Sequence, residues 1–271
     1  MKKLGLALIA LSLTSCIPLL NRGEKTKPRP LPPPQVSQVQ KPTPKERAEG
    51  YYQIGLAYLE IGEVPLALNY LFKAEKLNPK DPKIYNAIGL AFIRRGNYQE
   101  AEKYLRRALK LKPNFSEAWL NLGILYEEKG ELKKAKEFYE KALSNPLYLT
   151  PEVAYYRLAL LALKEGKTEE AKNYLILAIR NNTDYAPAYI ELAKLLEKEG
   201  EDDKAKDIYF RLTSLYPNLQ YPYCALGELF LKEGDEENGV KYLKECINVN
   251  PSSELAAKAR REISQVEGET P

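Results

Sequence analysis

Few residues of this 271-residue chain are suited to covalent or acid–base chemistry. The sequence contains no histidine, which removes the commonest general base, proton shuttle and metal ligand together. Its three cysteines are Cys16, Cys224 and Cys246, and neither a CxxC pair nor another zinc-ligand spacing is present. We therefore expect no catalytic residue, no metal and no cofactor, and we interpret the chain as a binding protein, not an enzyme.

Cys16 ends a segment with a distinct layout. Two lysines are followed by an apolar run and then by small residues, which is typical of a secretory signal. The run is shorter than the roughly 20 residues that a membrane span needs. The sequence Leu13-Thr14-Ser15-Cys16 resembles a bacterial lipobox. The resemblance implies that residues 1–15 are a lipoprotein signal peptide and that Cys16 carries diacylglycerol and usually a third acyl chain. The alternative is an ordinary signal with an incidental cysteine.

The segment after the cysteine is expected to connect a lipid anchor to the folded part of the chain. A multiply acylated Cys16 would hold the chain stably at a membrane. Ile17 follows it, where enteric lipoproteins retained at the inner membrane have aspartate, so by analogy we expect the outer membrane, with the chain facing the periplasm. Residues 21–47 contain seven prolines and almost no large apolar residue. We therefore expect residues 16–47 to form an extended, polyproline-rich tether.

The remainder of the chain repeats one unit six times. An aromatic residue opens each copy and a glycine follows eleven residues later, at intervals of 34 residues except for one of 36. The aromatic residues are Tyr51, Tyr85, Trp119, Tyr155, Tyr189 and Tyr223. The glycines are Gly62, Gly96, Gly130, Gly166, Gly200 and Gly234. Apolar residues at helical spacing on both sides of the glycine predict two helices in each copy.

This pattern resembles the tetratricopeptide repeat. Repeat two shows the motif as Tyr85, Ile88, Gly89, Phe92, Ala101, Leu105, Ala108 and Pro113. The resemblance implies an all-α, right-handed solenoid whose stacked helix pairs share one core. Its repeats are expected at 48–81, 82–115, 116–151, 152–185, 186–219 and 220–253. A capping helix from Glu254 to Val266 is expected within the last segment, 254–271, with Ala256, Ala259 and Ile263 facing the final repeat.

The sixth repeat has two unusual features. Cys224 and Cys246 are expected near the start of one helix and near the end of its antiparallel partner, at similar height. In an oxidising compartment they could pair, but two separately buried thiols fit the sequence equally well. Gly239 replaces the alanine of the other copies, which should weaken its helix by roughly 0.5–1 kcal/mol.

The resemblance also implies a concave surface that is lined by the first helix of each repeat. Transferring the second, fifth, ninth, twelfth and thirteenth positions gives the candidate groove residues Tyr52, Leu56, Leu59, Asn86, Leu90, Ile93, Arg94, Leu120, Ile124, Tyr156 and Leu160. As a set they predict a groove for an apolar or amphipathic peptide. For any one of them, burial between adjacent first helices is the alternative. Tyr52 and Leu56 stand where a carboxylate clamp needs lysine and asparagine, so we do not expect a clamp.

The lipobox, the tether and the six repeats together resemble the type IV pilus biogenesis lipoproteins of the PilW/PilF family. The segment 142–148, Ala-Leu-Ser-Asn-Pro-Leu-Tyr, is similar to that family's short insertion after its third repeat. The resemblance implies a pilotin, an outer-membrane adaptor that binds the secretin subunit and promotes its localisation and assembly. The alternative is a general envelope scaffold for outer-membrane protein insertion or cell-wall enzymes. We expect a protein partner and neither nucleic acid nor a small-molecule substrate.

Overall fold

The computed structural model describes residues 41–268, so the predictions for residues 1–15, for Cys16 and for most of the tether lie outside the described residues. Within this range there are thirteen α-helices and no strand. The first seven are α1 (Pro44–Glu60), α2 (Val64–Leu77), α3 (Pro82–Arg94), α4 (Tyr98–Leu111), α5 (Ser116–Glu128), α6 (Leu132–Leu143) and α7 (Pro151–Lys164). The others are α8 (Thr168–Asn181), α9 (Ala186–Lys198), α10 (Asp202–Leu215), α11 (Gln220–Lys232), α12 (Glu236–Val249) and α13 (Glu254–Val266).

Consecutive helices pack as six pairs, from α1 with α2 to α11 with α12. The second helix of each pair also packs on the first helix of the next, and α13 packs on α12 and α11. The two helices of a pair are joined by a glycine with positive φ, as at Gly96 (77°) and Gly130 (75°), a conformation that strains other residues. This arrangement confirms the predicted all-α solenoid with a capping helix.

The start of α1 differs from the repeat boundary expected at residue 48. The helix begins at Pro44, four residues earlier, because the sequence before it forms a complete cap. The Thr43 hydroxyl accepts a hydrogen bond from the Glu46 backbone N–H at 3.2 Å, and the Glu46 carboxylate accepts one from the Thr43 N–H at 2.7 Å. Proline suits the first helical position, since its missing N–H has no partner there in any case. For the same reason Pro151, expected to end the third repeat, opens α7.

The helices of a pair approach closely where small residues meet large ones. The alanines Ala67, Ala101, Ala135, Ala171 and Ala205 of the second helices are fully buried. In the second repeat, Gly89 leaves the space that the Leu105 side chain fills, since a Cβ added to the glycine would lie 2.6 Å from Leu105 Cγ. The same close contact recurs in the other pairs, where glycine or alanine occupies the position.

Ion pairs join each second helix to the repeat that follows it in the carboxyl-terminal half. Lys136 Nζ of α6 lies 2.8 Å from Glu170 of α8, and Lys206 Nζ of α10 lies 2.6 Å from Glu233, the residue that follows α11. Lys172 of α8 pairs in the same way with Glu199, which follows α9. The three lysines occupy one repeat position. The junction between repeats is therefore apolar inside and charged along one edge.

The capping helix matches its prediction from the sequence. It runs from Glu254 to Val266, and the Ser253 hydroxyl accepts a hydrogen bond from the Ala256 N–H at 3.0 Å at its start. Ala256, Ala259 and Ile263 are buried against the sixth repeat. The end of the core is covered by this helix, as a solenoid requires for solubility.

Gly239 has a packing role that helix propensity alone does not indicate. A Cβ added at this position would lie 2.6 Å from Leu231 Cγ and 3.2 Å from the Leu231 backbone nitrogen. The glycine therefore allows α12 to approach α11 more closely than alanine would. The closer packing of α12 on α11 offsets the loss of helix stability that the sequence predicts for glycine at this position.

Cys224 and Cys246 form a disulfide, so the pairing alternative is the one that the structure contains. Their Cα atoms are 5.0 Å apart, and both residues are buried in the core of the sixth repeat. The bond joins the first turns of α11 to the last turns of α12. It closes a loop of 22 residues.

Replacing both cysteines by alanine should lower the free energy of unfolding by about 3 kcal/mol, because the disulfide restricts the unfolded chain over that loop. Urea denaturation followed by circular dichroism measures this change. The unsubstituted protein in a thiol reductant strong enough to open the bond is the control and should show the midpoint of the double variant. An unchanged midpoint in both samples would exclude a stabilising disulfide.

Candidate protein-binding groove

The first helices of repeats one to four carry all the candidate groove residues. α1 contacts α3 and α3 contacts α5, so their inner faces are continuous. Most candidates are half-buried, with one side in the core and one side accessible: Tyr52, Leu56, Asn86, Leu90, Leu120, Ile124, Tyr156 and Leu160. Arg94 is exposed. Half-buried apolar residues on adjacent helices are what an apolar peptide needs to contact.

Leu59 is a correction to the predicted groove, and Ile93 lies in it with little of its side chain accessible. They are 2% and 8% exposed, because the twelfth position of the first helix turns towards the neighbouring first helix. The Arg94 guanidinium donates a hydrogen bond to the Leu59 carbonyl, which holds α3 against the end of α1. Leu59 is therefore a core residue and is not available to a ligand.

A cleft of about 480 Å³ crosses the first helices α3, α5 and α7. Its walls are Leu90, Ile93, Arg94, Gly96, Tyr98, Ile124, Glu128 and Arg157. Four of the predicted residues, Leu90, Ile93, Arg94 and Ile124, thus meet at one place, with Ile93 contributing only its accessible edge. The floor is apolar, and the rim carries two guanidinium groups and one carboxylate.

Arg157 belongs to a polar cluster beneath the cleft. Its Nη1 lies 3.7 Å from Oε2 of Glu127, whose side chain is only 9% exposed. Lys164 Nζ lies 2.8 Å from the other carboxylate oxygen, and the Tyr139 hydroxyl donates to Oε2 at 2.7 Å. Glu127 is therefore fully paired, and the cluster fixes the position of Arg157 at the rim of the cleft.

The ionisation of this cluster follows from its environment. Burial alone would raise the pKa of the Glu127 carboxyl, but the hydrogen bonds from Lys164 and Tyr139 and the charge of Arg157 outweigh it and hold that pKa below its usual value. Burial, together with the bond to Glu127, raises the pKa of the Tyr139 hydroxyl, which stays protonated and donates. Near neutral pH the Glu127 carboxylate is therefore ionised and the Tyr139 hydroxyl is neutral.

The other candidates lie outside the cleft. Asn86 accepts a hydrogen bond from Asn121 Nδ2 at 2.9 Å, which bridges α3 and α5. Leu120 packs beside the buried Tyr148. Tyr156 meets Tyr185 edge to face, with ring centroids 5.6 Å apart. Tyr52, Leu56 and Leu160 remain half-buried on their own helices. They extend the apolar surface on either side of the cleft.

The two-residue insertion after repeat three forms an ordered loop next to this surface. Asn145 fixes it, since its amide group donates to the Asn114 carbonyl and the Ser116 hydroxyl at 3.1 Å each. Tyr148 is buried, whereas Leu147 and Leu149 on either side are 80% and 85% exposed. Burial raises the pKa of the Tyr148 hydroxyl to about 12. The loop therefore presents two leucines on a fixed support beside Leu120.

Comparison with known families decides the class of the chain. Family profiles described as tetratricopeptide repeat match residues 52–114, 86–148, 162–226 and 221–253. This chain is a tetratricopeptide repeat protein. Tetratricopeptide repeat proteins are typically non-catalytic scaffolds that bind protein partners. No curated protein matches the sequence significantly.

Solved structures of other tetratricopeptide repeat proteins are similar in fold. One is Pseudomonas aeruginosa pilF, which is 23% identical in sequence and has a TM-score of 0.66. The match covers 81% of this chain and 99% of the pilF chain. PilW, described as a widely conserved type IV pilus biogenesis factor, is 20% identical with a TM-score of 0.65, over 79% of this chain and 98% of that chain. YrrB, described as a TPR protein with an unusual peptide-binding site, is 23% identical with a TM-score of 0.51. The match covers 70% of this chain and 97% of the YrrB chain.

Two features of the tetratricopeptide repeat groove were not expected from the sequence. Arg157 occupies the sixth position of the first helix, three residues before the groove position Leu160, so a helical wheel places it on the same face. Tyr98 belongs to the start of the second helix, α4, and reaches the cleft only because the Gly96 turn brings it there. No periodic signal indicates such a residue.

Two further observations concern the described residues as a whole. No cluster of three or more acidic or cysteine side chains among residues 41–268 is arranged to hold a metal ion. No helix in the same range is long and apolar enough to cross a membrane.

Proposed function

We propose that this tetratricopeptide repeat protein is a pilotin-like adaptor. It is anchored in the outer membrane through a lipid on Cys16, faces the periplasm, and binds the secretin subunit of the type IV pilus to promote its localisation and assembly. The observation that carries the proposal is the cleft across α3, α5 and α7, with its apolar floor and charged rim. A cleft of this kind suits a short amphipathic segment of another protein.

Two findings are consistent with this proposal. The fold similarity extends over nearly the whole length of both pilF and PilW, which is what a shared architecture of six repeats would give. The disulfide between Cys224 and Cys246 is of a kind that persists in oxidising compartments such as the periplasm. Lipid anchoring rests on the lipobox, Leu13 to Cys16, alone.

The mechanism would combine a modest groove affinity with anchoring. An apolar side chain of the secretin enters between Leu90 and Ile124, and Arg94 and Arg157 hold an acidic residue of the same segment at the rim. Fixing one end of the adaptor to the membrane raises the local concentration of the groove where the client must insert. A weak contact is then sufficient.

The full chain, affinity-purified from detergent-solubilised membranes of a piliated bacterium, should recover the secretin. Immunoblotting and mass spectrometry of the eluate measure this. Recovery of outer-membrane insertion machinery or cell-wall hydrolases in place of the secretin would favour the general envelope scaffold and end the pilotin proposal.

Replacing Cys16 by alanine should release the protein from the membrane, because the acylated thiol is the only anchor in the proposal. Membrane flotation and metabolic labelling with a fatty acid measure this change. Cys246→Ala is the matched cysteine control and should stay in the membrane fraction. Labelling that survives the loss of Cys16 would contradict the anchor.

A further inference from the structure

The first repeat exposes apolar residues at positions where the other repeats carry buried, half-buried or polar ones. At the seventh position of the first helix, Ile88, Leu122, Leu158 and Leu226 are at most 2% exposed and Leu192 is half-buried. The residue at this position in repeat one is Ile54, which is 41% exposed. An exposed end face is expected wherever a stack of repeats begins, and such faces normally carry polar residues to compensate.

Repeat one does the opposite at two positions where all the later repeats are polar and nine of their ten residues are charged. Glu199 and Glu233 follow first helices and pair with a lysine of the preceding repeat, and Glu170 does so from a second helix. The residues at the first of these positions are Arg95, Lys129, Glu165, Glu199 and Glu233, and those at the second are Glu100, Lys134, Glu170, Lys204 and Asn238. In repeat one they are Ile61 and Leu66, which are 71% and 42% exposed.

We propose that this end face, defined by Ile54, Ile61 and Leu66, is the interface of a homodimer in which α1 packs antiparallel against α1 of a second copy. Ile61 and Leu66 are apolar where nine of the ten equivalent residues of the later repeats are charged, so they suit an apolar surface. A monomer gains little from this change, because Ile61 is 71% exposed. A closed dimer buries Ile54, Ile61 and Leu66 of both copies.

The charges along α1 favour a second copy in this orientation. Arg47, near the start of the helix, and Glu60, at its end, are both exposed, and the last turn has no basic residue. An antiparallel pair centred on Ile54 places Arg47 of one copy beside Glu60 of the second copy, and the reverse pair forms at the other end. The arrangement is therefore complementary in charge as well as apolar at its centre.

The opposite end of the solenoid does not offer a matching surface. There α13 covers the core, and its outward side carries the exposed residues Arg260 and Arg261. Head-to-tail stacking would set the apolar end face against these charges and would give open filaments. A two-fold dimer through α1 leaves the candidate groove of each copy accessible, so the inference does not depend on the function proposed for that groove.

A single cysteine in the full chain tests the geometry. Ile54→Cys should form a disulfide-linked dimer under mild oxidation, because the two substituted residues face each other across the two-fold axis. Ile61→Cys is the matched control, since the two copies of residue 61 would be about 21 Å apart along the helices. On a non-reducing gel, Ile54→Cys should give at least ten times more cross-linked dimer than the unsubstituted chain. Equal or absent cross-linking, or cross-linking of Ile54→Cys to a different protein, would overturn the proposal.

Sedimentation velocity of the full chain in detergent provides a second test. The unsubstituted protein should dimerise, and Ile54→Glu should raise the dissociation constant at least tenfold without changing the helical circular dichroism signal. Ile176→Glu, at a residue of α8 that is 38% exposed and lies outside the end face, should leave the constant unchanged. A monomeric unsubstituted protein at 50 to 100 micromolar, or a dimer that Ile54→Glu does not weaken, would overturn the assignment.

Discussion

Replacing Leu90 and Ile124 together by serine should abolish secretin multimers in the outer membrane while the protein still folds. The two side chains form the apolar floor of the cleft on α3 and α5. Each contributes about 1.5 kcal/mol or more when a partner buries it, so losing both would weaken binding by at least a hundredfold. Immunoblotting of heat-resistant secretin multimers in a strain that carries the variant measures the effect.

The control for this experiment is an equally placed isoleucine away from the groove. Ile208 of α10 is also half-buried and packs against the core, so Ile208→Ser should cost about as much stability as either groove substitution alone. Its multimers should remain at the unsubstituted level. Loss of multimers in both variants would indicate a stability effect, and normal multimers in the Leu90 and Ile124 variant would remove the cleft from the binding site.

Arg94 allows a test that leaves the apolar floor intact. Its side chain is exposed, so Arg94→Glu should not alter folding beyond the loss of the hydrogen bond to the Leu59 carbonyl. If an acidic residue of the secretin lies at the rim, reversing this charge should weaken binding about tenfold, equivalent to about 1.4 kcal/mol. Affinity measured at several salt concentrations would separate this electrostatic effect from the apolar one, because only the former is screened.

Leu105→Ala should be among the most destabilising single substitutions in the array, at about 3–4 kcal/mol. Leu105 is fully buried and fills the space beside Gly89, which has no side chain to fill the cavity that alanine would leave. Leu111→Ala is the matched control, since it removes the same atoms from the same helix, α4, at a residue that is 42% exposed. Its cost should be below about 1 kcal/mol. Urea denaturation measures both.

A double variant makes this prediction specific to the Gly89 contact. Gly89→Ala should destabilise the unsubstituted protein, because the new Cβ would lie 2.6 Å from Leu105 Cγ. In the Leu105→Ala background the same change should stabilise, since it partly fills the cavity and alanine favours the helix by about 1 kcal/mol over glycine. Additive effects of the two substitutions would show that the close approach is not what determines the cost of losing Leu105.

The helix pairs were predictable because their signals recur in every copy. The turn glycines and the aromatic residues occupy one repeat position each in all six copies, and the buried alanines do so in five, so the copies support the same interpretation. The capping helix was predictable for a different reason, since Ser253 and the apolar residues behind it form a local start signal. Boundaries such as Pro44 depend on a single cap, which no other repeat shares.

The groove was predictable only as a surface. Transferring repeat positions placed Leu59 among the accessible residues, because the pattern gives a helix face and not the distance between neighbouring helices. That distance is set by contacts such as the bond from Arg94 to the Leu59 carbonyl. The cleft, the position of Arg157 and the pairing of Glu127 arise from three repeats together, so no single repeat contains them. The disulfide likewise needed the side-chain directions of α11 and α12.

The disulfide lies in the last repeat, and α13 covers that repeat, whereas among the described residues the first repeat has a packed neighbour on one side only, the second repeat. In a linear array each repeat is stabilised by its neighbours alone, so opening proceeds from the less restrained end. Tension applied through the amino-terminal end would therefore peel α1 and α2 away first and reach the cross-linked sixth repeat last. In the monomer, amide hydrogens should exchange with the same polarity, fastest in α1 and slowest beyond α10.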